Sequence, residues 1–148
     1  MKVRDAMTPD VQLCTPDDTL KDAAEAMAAL NVGLLPVTDS ERLVGMISDR
    51  DIATRAVAMG RGPDTAVREI MTVDVKYCYD DQDLEEVART MGDIQVRRLP
   101  VLNRDKRLVG IVALGDIARI NAGDGTAAAL QQISQPGGQH ASTISRTA

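Results

Sequence analysis

The chain has 148 residues, is 44% hydrophobic and carries a formal net charge of −5. That composition suits a packed core rather than a disordered chain, and the acidic balance, with a pI of about 4.8, argues against non-specific nucleic-acid binding through a basic face. No stretch approaches the ~20 apolar residues that cross a bilayer, and "MKVRDAMTPD" lacks the apolar run of a secretory signal, so a cytoplasmic location is expected.

Taken in chain order, a short helical turn is expected near "VRDAM", followed by a brief strand, "VQLC" (Val11 to Cys14). Leu20, Ala23, Ala24, Met27 and Leu30 then recur at helical spacing and predict an amphipathic helix. Two strands follow, "LLPV" and "LVGMI", separated by a polar turn, and a last helix starts near Ser48. The Gly-rich and polar stretch "AMGRGPDTA", residues 58–66, reads as a linker. The whole order then repeats. "VREIM" precedes "VKYC"; Leu84, Val87, Ala88, Met91 and Ile94 match the first helix; "RLPV" and "LVGIV" match the strands; and a helix starts near Ala113. The offset is sixty-four residues up to the central strands and sixty-five beyond them, because one residue enters "NRDKR" in a predicted hairpin turn. Pro36 and Pro100 lack an N–H and are expected at a strand start or on an edge. The remainder, residues 122–148, carries no burial pattern beyond a possible short helix near 126–133 and is expected to be a flexible tail. It holds the sole histidine, His140, expected to be solvated.

The expected fold class is therefore α/β (α+β): two tandem repeats, each strand-helix-strand-strand-helix, residues 1–57 and 67–121. A unit of that size has little interior alone, so the repeats are expected to pack by pseudo-twofold symmetry into one module. The sole aromatics are Tyr77 and Tyr79, which makes the core aliphatic. Cys14 and Cys78 occupy equivalent positions, too few for a zinc motif, and are expected to be small buried residues rather than a redox pair. No nucleophile–base pair, P-loop or metal spacing is visible, so neither catalytic residues nor a metal is expected. Asp17-Asp18 and Asp80-Asp81 read as polar starts to the following helices.

The phrase "RLVGMISDRDIA", Arg42 to Ala53, returns as "RLVGIVALGDIA", Arg107 to Ala118. Ser48 and Asp51 have the spacing of a capping box, but Ala113 stands in the serine's place while Asp116 is kept. Asp116 therefore cannot be half of a reciprocal box. A carboxylate in a first helical turn could instead accept bonds from two adjacent ribose hydroxyls.

With "MT" opening a strand, "LPV" in the middle and the final phrase in both copies, the duplicated unit resembles the cystathionine-β-synthase (CBS) domain over roughly residues 1–121. The resemblance implies a stand-alone regulatory module. It would bind an adenosine-containing ligand (AMP, ADP, ATP or the S-adenosylmethionine class) in clefts between the repeats, and associate as a homodimer with a possible regulated protein partner. It implies ribose contacts by Asp51, Asp116 and Ser48. Phosphate contacts would come from Arg97 or Arg98, forked donors just before "LPV", and from Arg50. The adenine slot would be lined by Val11, Leu13, Val75, Tyr77, Ile47 and Val112. The alternative is a ligand-free interaction dimer. Arg42 and Arg107 are expected to be solvated turn residues.

Overall fold

The computed structural model describes residues 1–120; the tail, with its expected short helix and His140, lies outside them. Its elements are α1 (Leu20–Leu30), β1 (Leu34–Asp39), β2 (Arg42–Ser48), α2 (Asp49–Asp51), β3 (Cys78–Tyr79), α3 (Leu84–Asp93), β4 (Arg98–Leu102), β5 (Leu108–Ala113) and α4 (Leu114–Ile120). Helical turns at Val3–Asp5 and Val67–Glu69 stand where the two "MT" phrases begin. Beyond α2 the helix continues as a wide π-turn, Ile52–Ala56, and a 3-10 turn, Val57–Met59, which Gly60 ends in the left-handed conformation.

The chain forms two compact bodies, and they cut across the linear repeats. Among the described residues, the first comprises Gln12–Val75 with Lys106–Leu108; the second comprises Met1–Val11, Lys76–Asp105 and residues 109–120. The opening turn of the first copy thus packs with the elements of the second copy, and the turn that opens the second copy packs with the first. The physical reason is burial. Val3 and Ala6 fill the core of Leu84, Val87, Met91, Leu99 and Ile117, while Val67 and Ile70 fill that of Leu20, Met27, Leu35 and Ile47. Val3 and Val67 are both fully enclosed, worth about 2 kcal/mol each in area removed from water.

In the first body β1 and β2 pair antiparallel, Leu34 opposite Ser48 through Asp39 opposite Arg42. Ser40 and Glu41 both take positive φ in the turn between them, which matches the twist of a tight hairpin. The second body carries a three-stranded sheet in the order β3-β4-β5. The strands expected ahead of each helix are shorter than the sequence suggests. The first is a single parallel bridge, Cys14 to Val37, and the second is the two-residue β3. Their flanking residues Leu13 and Tyr77 are exposed, so nothing holds a longer ladder there.

One of the prolines corrects a second expectation. Pro100 sits in the central strand β4, not on an edge. Its missing N–H is tolerated because the parallel ladder to β3 begins only at the next residue, Cys78 opposite Val101. Pro36, in β1 of the two-stranded sheet, is on an edge as expected; its carbonyl accepts from the Cys14 N–H at 3.0 Å, and the next donor required is that of Thr38. The helices also differ in their starts. Thr19 and Asp83 are the N-caps of α1 and α3. The acidic pairs before them instead tie loops down: Asp17 pairs with Arg68, Asp80 with Arg4 and Asp81 with Arg104. On α1, Ala24 and Leu30 face solvent, whereas Leu20, Ala23 and Met27 are buried. The 58–66 linker is fastened to α1, since Leu20 and Lys21 donate to the carbonyls of Thr65 and Pro63. Arg107 is tied rather than free in its turn, pairing with Glu41 inside the first body.

Candidate nucleotide sites

In the first body Ser48 ends β2 and caps α2. Its hydroxyl accepts from the Asp51 N–H at 3.0 Å, and its own N–H donates to Asp51 Oδ2 at 3.0 Å. The box that the spacing allows is therefore formed, and it occupies one oxygen of the Asp51 carboxylate. Both side chains are half-buried. The Asp49 N–H donates to the Gly33 carbonyl at 2.9 Å, which brings the start of α2 against the residue before β1. The two side-chain positions compete there: a Cβ on Gly33 would fall 2.8 Å from Asp49 Oδ2. Arg50 is exposed, and its N–H donates to Asp49 Oδ1.

The second body repeats the backbone and changes the side chains. The Leu114 N–H donates to the Arg97 carbonyl at 3.0 Å, the counterpart of the Asp49–Gly33 bond. Leu114 is buried in the core where Asp49 was exposed. Asp116 lies half-buried in the first turn of α4 and forms an ion pair with Arg119 one turn on. Sequence reasoning missed this partner, although the i,i+3 spacing was there to read. Arg97 and Arg98 are both exposed beside that turn.

The residues assigned to an adenine slot divide. Ile47 and Val112 have no exposure and belong to the two cores, so their side chains line no surface slot. Strand alternation puts every second residue inward, and these positions are the inward ones. Val11 and Val75 are half-buried, and Leu13 and Tyr77 are exposed. Tyr77 is not a lone ring. Its edge meets Tyr79 at 5.6 Å and 88°, and the Arg104 guanidinium lies 4.0 Å over the Tyr79 ring. Asp81 holds Arg104 through both carboxylate oxygens, at 2.8 to 3.1 Å. The bonded guanidinium keeps the Asp81 carboxyl below its ordinary range, and the hydrogen bond with Tyr77 raises the Tyr79 phenol.

Cys14 and Cys78 are free thiols, both buried. Burial pushes Cys14 up to about 11, helped by Asp18, and Cys78 up to about 12, helped by Asp80. Among the described residues no group of three or more His, Cys, Asp or Glu could hold a metal ion, and no helix is long and apolar enough to cross a membrane.

Comparison with known proteins settles the family. The CBS domain model matches twice, at residues 3–58 and 67–123. The chain belongs to the CBS domain family. Hypoxic response protein 1 of Mycobacterium tuberculosis is 40% identical over 118 residues, 78% of this chain and 82% of that protein. A crystal structure of Hypoxic Response Protein I with two coordinated zinc ions matches the CBS fold here with a TM-score of 0.73 and 37% identity, covering 80% of this chain and 98% of that one. CBSX2 in complex with AMP matches with a TM-score of 0.71 at 30% identity over 82% and 96% of the two chains. The CBS domain pair of MJ0100, in complex with 5′-methylthioadenosine and S-adenosyl-L-methionine, matches with a TM-score of 0.70 at 29% identity over 82% and 96%. Two of these neighbours, CBSX2 and MJ0100, thus hold adenosine ligands, and this chain is a tandem CBS pair of mixed helix and strand.

Proposed function

We propose that this CBS pair is a regulatory module that binds an adenosine-containing ligand, of the AMP, ADP, ATP or S-adenosylmethionine class, and passes its occupancy on as a change of shape or of partner binding. The observation that carries the reading is Asp116. It keeps the place of Asp51 although Ala113 leaves it no cap to complete, and it remains half-buried in the same first turn. In this reading Asp51 and Asp116 accept from the ribose hydroxyls, and the Ser48 hydroxyl supports the first site. Arg97, Arg98 and Arg50 reach phosphate, and Val11, Leu13, Val75 and Tyr77 flank the base. The AMP and S-adenosylmethionine complexes of CBSX2 and MJ0100 support the ligand class. A bound nucleotide supplies charge and hydroxyl groups for recognition, and no bond is made or broken.

The module is proposed to act as a homodimer, with Val57 and Met59, 68% and 71% exposed at the end of the helix after Ser48, as its contact. Regulation then requires unequal affinity of the ligand for two states. The second reading is a ligand-free interaction dimer. It draws on the fact that both carboxylates already have partners, Ser48 for Asp51 and Arg119 for Asp116. Calorimetry with AMP and S-adenosylmethionine on the purified chain separates the two. Micromolar binding, about −8 kcal/mol, lost in the Asp51→Asn, Asp116→Asn double variant supports the first; no heat with either ligand supports the second.

A further inference from the structure

Five pairs of equivalent positions flank the two aspartates, and their charges differ between the copies. Around Asp51 the first copy has Gly33, Leu34, Asp49, Arg50 and Thr54; around Asp116 the second has Arg97, Arg98, Leu114, Gly115 and Arg119. The first copy thus has two carboxylates and one guanidinium where the second has one carboxylate and three guanidinium groups. The backbone bonds Asp49–Gly33 and Leu114–Arg97 show that these two pairs meet in space and not only in register, and Arg119 reaches Asp116 directly. In the first body a Cβ on Gly33 would fall 2.8 Å from Asp49 Oδ2, so a side chain there would lie beside the Asp49 carboxylate or displace it.

We infer that the two copies sort adenosine ligands by charge: the Asp116 site takes a phosphorylated nucleotide, and the Asp51 site takes a nucleoside that is uncharged or carries a cation such as a sulfonium. The inference rests on the adenosine reading above and deepens it. A phosphate beside Asp51 would meet the Asp49 carboxylate, whereas a sulfonium there is attracted by it. At the second site a ribose diol must take Asp116 from Arg119. The released guanidinium is then one helical turn away, with forked donors suited to phosphate oxygens. Arg119 is therefore a specificity residue for the charged ligand: a neutral nucleoside would break the Asp116–Arg119 pair and return nothing to the guanidinium.

The test is isothermal titration calorimetry of the full chain with adenosine, S-adenosylmethionine and AMP. The variants are Asp51→Asn, which keeps an acceptor for the cap, Asp116→Asn, Arg97→Ala and Arg119→Ala, each checked for an unchanged circular dichroism spectrum. Asp116→Asn is expected to abolish AMP binding and leave S-adenosylmethionine binding, and Asp51→Asn to do the reverse. Arg97→Ala and Arg119→Ala are expected to weaken AMP about tenfold, with adenosine held within about twofold. AMP affinity indifferent to both arginines, or AMP lost with Asp51→Asn and kept with Asp116→Asn, overturns the sorting alone. No heat from the wild-type chain with any of the three overturns the adenosine reading, and the sorting with it.

Discussion

Ser48 and Asp51 exchange two hydrogen bonds of 3.0 Å across the first turn of α2, and the second copy cannot repeat the exchange because Ala113 replaces the serine. Ser48→Ala is therefore expected to lower stability by about 1 kcal/mol, measured by urea denaturation. Ala113→Ser should raise it by a similar amount only if Asp116 leaves Arg119 to close a box. Paired with Arg119→Ala, the gain from Ala113→Ser should grow. Equal gains with and without Arg119 would show that the ion pair does not compete.

Gly110 marks where the "MT" phrase closes on β5. Thr8 and Ile111 exchange N–H to carbonyl bonds of 2.8 and 3.0 Å, and a Cβ on Gly110 would meet the Thr8 carbonyl oxygen at 2.7 Å and Met7 Sδ at 2.9 Å. Gly110→Val should cost at least about 1–3 kcal/mol through overpacking and speed hydrogen exchange at Thr8. Gly115→Ala is the control. Nothing lies within 4 Å of its added Cβ, and removing a glycine from α4 should stabilise by about 0.5–1 kcal/mol. A neutral Gly110→Val would mean that the opening segment is not seated on β5.

Removing residues 1–8 should damage the second copy and spare the first. Val3 and Arg4 donate to the carbonyls of Gln82 and Asp80 at 3.0 Å, and Leu84 donates to that of Met1 at 2.9 Å. The deletion uncovers the Leu84–Met91 face of α3 and leaves the N–H of Leu84 without its partner. Hydrogen–deuterium exchange should rise across α3 and stay unchanged across α1. A uniform rise would point to a single cooperative unit.

The thiols set a limit at high pH. Each folded-state value, about 11 for Cys14 and about 12 for Cys78, lies above the ordinary 9.0. The folded chain therefore holds protons that the unfolded chain releases. The contribution is complete below pH 9 and is lost as pH rises from there through 11 and 12. Cys14→Ala with Cys78→Ala should flatten the fall in stability above pH 9. Ellman's reagent should label neither thiol in the native chain at pH 8, and rapid labelling there would contradict their burial.

Both amphipathic helices and both hairpins were legible because apolar period and turn chemistry are local properties. The body to which the turn at Val3 belongs was not. An apolar turn can fill either of two similar cores, and the bonds to Asp80 and Gln82 that accompany its burial join residues distant in sequence. The short strands at Cys14 and Cys78 misled for a related reason: alternation marks where a ladder can form, while its length depends on neighbours. Of the sites, Ser48 and Asp51 were readable from spacing alone. Ile47 and Val112 were misread because an apolar residue beside a polar phrase can face inward or outward, and the strand phase put them inward. The Tyr79–Arg104–Asp81 cluster joins residues more than twenty positions apart, with no local signal.

The contact between Gly33 and Asp49 constrains the history of the duplication. If the ancestor of both copies had the glycine and the aspartate, an arginine arriving first would have been crowded and its charge cancelled by the neighbouring carboxylate. Exchange of the aspartate for leucine had to precede it, or accompany it, for the new cation to be of use. On that premise the two changes are ordered, and a Gly33→Arg variant that keeps Asp49 should hold a phosphate less well than one that also carries Asp49→Leu.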